Sequence, residues 1–244
     1  MVRINRYLAQ CNLGSRRNVE KLILNGKISV NGLITKNLST QIDPENDIIM
    51  YNNKNIKAYS EKIYLMLNKP KKYLVSKHDD FDRKTAYNLL PDFGVHLFSI
   101  GRLDYMSSGL LLFTNDGVFS EKLIHPRFKL PKVYKVKVKG SLNKEQINKL
   151  RNGIIIYGKK TLPAIVHVKN KLEYSTILKI TLFEGRKRQI RYMIKEIGSE
   201  VLELKRLQIG NLKLGKLPVG MWRMLKPSEI NSLFNYNAAK KGKK

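Results

Sequence analysis

Cysteine is almost absent from this chain: Cys11 is the only one in 244 residues. No disulfide can form within the chain, which excludes the disulfide-stapled secreted folds and suits a reducing compartment. The four histidines, His78, His96, His125 and His167, are scattered. None stands at metal-ligand spacing from the cysteine, so no structural zinc or other metal site is expected. No apolar run approaches the ~18 residues of a membrane span. The first ten residues carry charges and no apolar stretch of signal-peptide length. We therefore expect a cytoplasmic protein without membrane attachment. Acidic residues are also sparse, 19 against 47 lysines and arginines, for a formal net charge of +28. Such an excess points to a polyanionic partner, because neutralising phosphates releases their condensed counterions.

What is present suffices for a folded protein. Apolar residues make up 42% of the chain, enough for a core in a small domain joined to a medium one. Residues 1–58 read as the small one. Ser15 can cap a helix running to Leu24, with Val19, Leu22 and Ile23 at helical spacing, and Gly26 stops it. The pair Asn31-Gly32 between two short apolar runs predicts a hairpin. A further strand fits 47–51. Arg3, Arg6, Arg16, Arg17, Lys21, Lys27 and Lys36 face a single acid, Glu20, within the first 36 residues. The polar stretch 52–62 reads as a connection, with a linker at 59–62.

The spacing over 63–236 predicts a second domain with strands at 64–67, 97–100, 110–114, 133–138, 165–168 and 177–183. Helices are predicted at 118–124, 144–151, 186–197 and 227–234. The irregular alternation points to an α+β fold with a mixed, mainly antiparallel sheet, not a doubly wound one. Residues 237–244 form a basic tail expected to be disordered.

Segment 210–217 gives Gly-x-x-x-x-Gly-Lys-Leu, a near miss to a phosphate-binding loop. Leu217 has no hydroxyl for magnesium and Pro218 follows where a helix should begin, so no nucleotide cofactor is expected. More informative is Gly101-Arg102-Leu103-Asp104-Tyr105-Met106-Ser107-Ser108-Gly109, a polar loop between two apolar strands with glycine at both ends. Glycines let a backbone turn tightly or approach a ligand. Read without further context, the loop is equally a candidate site or a connection carrying a surface ion pair. A second segment, Glu184 to Met193, begins a helix whose apolar stripe is Ile190, Met193, Ile194 and Ile197. Arg191 falls beside that stripe, while Arg188 projects from the opposite side. Arg186, Lys187 and Arg188 fill the predicted first turn, where cations oppose the helix dipole and call for phosphate or another partner.

These residues resemble a known family. Gly101-Arg102-Leu103-Asp104 with Ser107, Gly109-Leu110-Leu111-Leu112 and Thr114-Asn115-Asp116-Gly117 resembles the catalytic motif of ribosomal-RNA pseudouridine synthases. Asn68-Lys69-Pro70 is similar to the family's first motif, and Lys132-Val133-Tyr134-Lys135-Val136 to its tyrosine-bearing strand. Residues 184–193 resemble its third motif, and the segment from Arg206 through Gly210 to Arg223 its closing one. Residues 3–36 are similar to the RNA-binding domain first seen in the small-subunit ribosomal protein "S-four". The chain departs from the pattern at Ser107, where threonine is usual, at Lys72, where glycine is common, and at Tyr192, where arginine is common.

The resemblance implies a reaction that detaches uracil from ribose, turns it and reattaches it through carbon, with no cofactor. Asp104 would be the catalytic carboxylate, acting on the sugar, on the base or as a proton acceptor. Arg191 would pair with it, and Tyr134 would stack on the uracil and help move a proton. Arg102 would occupy the space left by the flipped nucleotide. Asn68, Lys69, Ser107, Arg186 and Arg188 would contact the RNA, with Arg3, Arg16, Arg17 and Lys21 binding it from the N-terminal domain. The partner would be ribosomal RNA or a ribosomal assembly intermediate, met by a monomer. His125-Pro126 and Lys132 to Tyr134 lean toward the large-subunit type. The rivals are a non-catalytic RNA-binding or ribosome-assembly protein and a pseudouridine synthase acting on another RNA, such as transfer RNA.

Overall fold

The structure, a computed structural model, describes residues 1–58, 61–77 and 79–234. His78, half of the expected linker and the basic tail lie outside the described residues. The chain packs as two compact units. Among the described residues, the first comprises 1–63 with 92–98 and 114–117, and the second comprises the others.

The first unit runs β1 (Val2–Arg3), α1 (Ile4–Gln10), α2 (Arg16–Leu24), β2 (Ile28–Val30), β3 (Leu33–Ile34), β4 (Gln41–Ile42), β5 (Ile49–Tyr51) and β6 (Lys54–Asn55). The Ser15 side chain accepts a hydrogen bond from the Asn18 amide and starts α2 as expected. Gly26, at φ +67°, turns the chain out of the helix. The sheet order is β3-β2-β5-β6. Asn31 and Gly32 both take positive φ between β2 and β3, the turn that suits a hairpin's twist. Asn52 and Asn53 repeat the device between β5 and β6, so part of the stretch read as a connection is a hairpin. Asparagine tolerates the left-handed region, so this signal was present in the sequence. The core is Ile4, Tyr7, Leu8, Val19, Ile23, Ile28, Ile42 and Ile49. Each such burial contributes about 1.5–3 kcal/mol relative to exposure.

The second unit contains β7 (Tyr64–Lys69), β8 (Phe98–Ile100), β9 (Ser107–Thr114), α3 (Gly117–Ile124), β10 (Lys132–Lys139), α4 (Lys144–Asn152), β11 (Ile155–Ile156), β12 (Lys159–Lys160), β13 (Ile165–Leu172), β14 (Ser175–Leu182), α5 (Gln189–Glu196), β15 (Val201–Ile209), β16 (Leu212–Lys213), β17 (Trp222–Met224) and α6 (Pro227–Phe234). Its large sheet has the order β13-β14-β10-β15-β9-β7-β17, with β16 on β15 and β8 on β9. The pairs β13/β14, β14/β10, β10/β15 and β17/β7 are antiparallel, and β15/β9 is parallel. This is the expected mixed, mainly antiparallel sheet of an α+β fold.

Helix α4 starts as expected, with a reciprocal cap between Asn143 and Gln146. Two differences bear on the site. Strand β15, absent from the expected set, lies beside β9 at the centre of the sheet. Its alternation is obscured by Glu203, Lys205 and Arg206, and by a bulge opposite Val133 and Tyr134. The predicted helix 186–197 begins only at Gln189, because Arg188 sits at φ +51° as its N-cap. Arg186, Lys187 and Arg188 therefore precede the helix and do not fill its first turn.

Candidate active site

The loop 101–106 leaves β8 and enters β9. Gly101, at φ +70°, makes the turn. Gly109, at φ +103°, is needed for space: a Cβ there would collide with the backbone of Arg206 on β15. Between them the chain folds on itself, the Ser107 amide donating to the Asp104 carbonyl at 2.9 Å. The Lys72 amide donates to the Tyr105 carbonyl at 2.8 Å. Lys72 does so at φ +64°, a conformation that glycine adopts at less cost, which accounts for glycine being common there.

Lys69, the last residue of β7, is fully buried. Its Nζ donates to the carbonyls of Ser107 at 2.8 Å, Pro70 at 2.9 Å and Asp104 at 3.4 Å. Burial pushes the Lys69 ammonium down to about 8, Asp104 opposing the shift and Arg206 adding to it. Asp104 thus stands on a loop whose backbone is held from below by a cation, and its side chain remains about one-third exposed.

Arg191 approaches Asp104 from α5. Ile190, Met193 and Ile194 are buried on that helix and leave Arg191 beside the apolar stripe. Its Nε lies 3.7 Å from Asp104 Oδ2, a charge contact too long for a hydrogen bond. The carboxylate oxygens therefore stay open to another partner. Burial lowers the Arg191 pKa and the Asp104 charge opposes that shift.

Tyr134 enters from β10, opposite Arg206 on β15, beside the bulge. Bulges re-aim side chains, and this one falls where two strands feed the site. Arg102, Asp104, Ser107, Tyr134, Arg186 and Arg188 line one cleft. Arg102 is exposed at its edge, and Ser107 is buried with its hydroxyl unpartnered among the described residues. Arg188 does not project away from the site, since its position ahead of α5 turns it into this cleft.

Two expected RNA contacts are placed differently. Asn68 and Lys69 are buried; the Asn68 amide donates to the Leu217 carbonyl at 2.7 Å. Their burial is at odds with a direct RNA contact: Lys69 supports the Asp104 loop from inside, and Asn68 holds the segment that leads into β17. Arg186 lines the cleft as well, its guanidinium also bonded within the protein: Nε to Glu184 at 3.0 Å, Nη1 to the Lys159 carbonyl at 2.9 Å, and Nη2 to that of Lys160 at 2.6 Å. In the first unit, Arg3, Arg16, Arg17 and Lys21 are all exposed.

One site residue went unread. Arg206 is buried, its Nε donating to the Leu110 carbonyl at 2.7 Å and one terminal nitrogen left without a partner among the described residues. Only its place at the start of the closing segment hinted at it. Lys132, on the same face of β10 as Tyr134, is a half-buried cation also pushed down to about 8, first by desolvation and then by Arg206.

A model of the RNA pseudouridylate synthase family matches residues 63–196, which hold this whole cleft up to α5. The chain belongs to the RNA pseudouridylate synthase family. An S4-domain model matches residues 2–49 of this synthase. The synthase is 39% identical to an RNA pseudouridine synthase of Aquifex aeolicus, over 96% of this chain and 94% of that one. It is 38% identical to ribosomal large subunit pseudouridine synthase B of Bacillus subtilis, over 96% of each chain. A crystal structure of a pseudouridylate synthase superposes with a TM-score of 0.69 at 30% identity, covering 96% of this chain and all of that one. The match extends through both units, so the S4 domain and the catalytic domain occur together in the relatives as they do in this synthase.

Proposed function

We propose that this synthase isomerises a uridine of large-subunit ribosomal RNA, with Asp104 as the catalytic carboxylate. The observation that carries the reading is the Asp104–Arg191 contact, with Asp104 in a cleft that also holds Tyr134, Arg102 and Arg188. The large-subunit assignment draws on the likeness to the Bacillus subtilis protein of that name and on the exposed cations of the first unit.

The chemistry requires the target base to leave its stack. Arg102, exposed at the cleft edge, fills the gap left behind, and the Tyr134 ring receives the base. The bond between N1 and the ribose breaks, and a carbon bond from C5 replaces it. Positive character that builds on the sugar is met by the Asp104 carboxylate, the nearest negative charge in the cleft. Arg191 holds that carboxylate in place without capping its oxygens. The hydrogen on C5 leaves to solvent and N1 gains one, so the product is an isomer.

Release of tritium from ribosomal RNA carrying 5-tritiated uridine tests this directly. Turnover on large-subunit RNA and none on transfer RNA is the expected result. Absence of release from ribosomal RNA would overturn the assignment. Mapping pseudouridine in a strain lacking the protein would then identify the position.

A further inference from the structure

The hairpin of β11 and β12 turns through Tyr157 and Gly158, both at positive φ, +52° and +72°. Two-residue turns of this type favour Asn, Asp or Gly in the first place. The chain obeys that preference at Asn31 and Asn52. A tyrosine there is an outlier, and an outlier held in place invites a functional explanation. The residue is also 60% exposed, so burial does not compensate for the backbone.

Everything around the turn keeps it rigid. Ile156 is buried. Ile154 and Thr161 are joined by two hydrogen bonds, one through the threonine hydroxyl. Arg186 clips the carbonyls of Lys159 and Lys160, and the Leu162 amide donates to Glu184 at 2.9 Å. The hairpin is thereby fixed to the segment that leads into α5.

Tyr157 meets Tyr192 of α5, ring centroids 4.7 Å apart at an interplanar angle of 62°. Tyr192 follows the Asp104 partner Arg191 directly. Its amide donates to the carbonyl of the cleft residue Arg188 at 3.1 Å. The tyrosine pair therefore adjoins two residues of the site, Arg188 and the Asp104 partner Arg191. Lys159, Lys160 and Arg188 surround it as exposed cations. The Asp104 and Arg188 charges both reach the Tyr157 hydroxyl, whose pKa is raised chiefly by its Tyr192 neighbour.

We infer that Tyr157 and Tyr192 form a stacking step that holds one unpaired nucleobase next to the target uridine. Exposed aromatic rings with cations beside them are how proteins grip single-stranded nucleic acid: the rings take the bases and the cations take the phosphates. The cationic surroundings favour RNA over an apolar protein segment as occupant. This assignment rests on the RNA-modifying reading above and adds a second base contact outside the catalytic residues.

The test exploits the turn. Tyr157→Asn supplies the residue the backbone prefers and removes the ring. The variant should melt no lower than wild type, yet its KM for ribosomal RNA should rise by about 5- to 100-fold with kcat nearly unchanged, the range expected when a single base stack is removed. Tyr157→Phe should behave like wild type, and Tyr192→Leu should raise KM as Tyr157→Asn does. In an RNA with an abasic sugar beside the target, the gap between wild type and Tyr157→Asn should close. An unchanged KM for Tyr157→Asn, a Phe variant as weak as the Asn variant, or a gap that survives the abasic sugar would each overturn the inference. Filter binding of the same variants to a labelled ribosomal-RNA fragment reads the stack without turnover. A wild type that binds but releases no tritium would therefore count against the assigned reaction alone, while equal affinity of wild type and Tyr157→Asn would count against the stacking step.

Discussion

Gly109 on β9 lies against the backbone of Arg206 on β15, so closely that a methyl group on the glycine would fall inside the Arg206 carbonyl. The approach occurs in the parallel pair at the centre of the sheet, in register between the two residues. It lets β15 carry Arg206 under the Asp104 loop. Gly109→Ala must push the strands apart and force alanine to φ +103°. We expect a loss of about 3 kcal/mol, read as a lower denaturation midpoint. A variant as stable as wild type would show that the strands have slack there.

Lys69 makes stability depend on pH in an unusual direction. Its ammonium is held at about 8 in the folded protein, against about 10.4 for a free lysine. Below pH 8 both states carry the proton and the burial penalty is fully present. Between pH 8 and about 10.4 the folded state binds fewer protons than the unfolded one, so stability from this group rises with pH. Lys69→Met cannot titrate. The stability of wild type relative to Lys69→Met should therefore improve as pH rises from 8 to 10, in paired denaturant titrations. A gap that stays constant or moves the other way would contradict the buried-cation account.

Much of this was legible in the sequence, for identifiable reasons. Period-2 and period-3.6 patterns placed β10, β14, α4 and α6 within a residue or two, because those elements each bury one clear face. Strand β15 escaped because its charged residues sit in the middle of a sheet, where Arg206 is buried among backbone carbonyls. The Asn52-Asn53 turn was overlooked although its residues are suited to positive φ. At the site, Asp104, Tyr134, Arg102 and Ser107 converge on one cleft and Arg191 reaches Asp104. Asn68, Lys69 and Arg186 share that neighbourhood, but charge and motif position do not reveal whether a side chain faces outward or into the protein. Arg188 was misdirected by treating it as helical, when its left-handed backbone ends the helical phase.

Arg191 acts on Asp104 through charge at 3.7 Å, without a hydrogen bond. Arg191→Lys keeps the charge and loses the planar, wide guanidinium that reaches both Asp104 and the Val201 carbonyl. Turnover should fall at least tenfold, about 1.4 kcal/mol, with RNA affinity nearly intact. Equal losses in affinity and turnover would instead make Arg191 an RNA contact.

The exposed cations of the first unit should set the salt dependence of binding. Replacing Arg3, Arg16, Arg17 and Lys21 by alanine should weaken ribosomal-RNA binding and flatten the slope of log affinity against log salt by roughly 0.7–0.9 for each phosphate that is no longer neutralised. None of the four is buried, so the fold should be unaffected. A slope equal to wild type would place the RNA anchor elsewhere.

The central claim is that the Asp104 carboxylate performs the chemistry, and Asp104→Asn tests it most directly. The amide keeps the size of the side chain and discards the negative charge that the sugar requires. Tritium release from 5-tritiated ribosomal RNA should fall below detection while filter binding shows affinity within a few-fold of wild type. Release at a near-normal rate by Asp104→Asn would remove this residue from the mechanism.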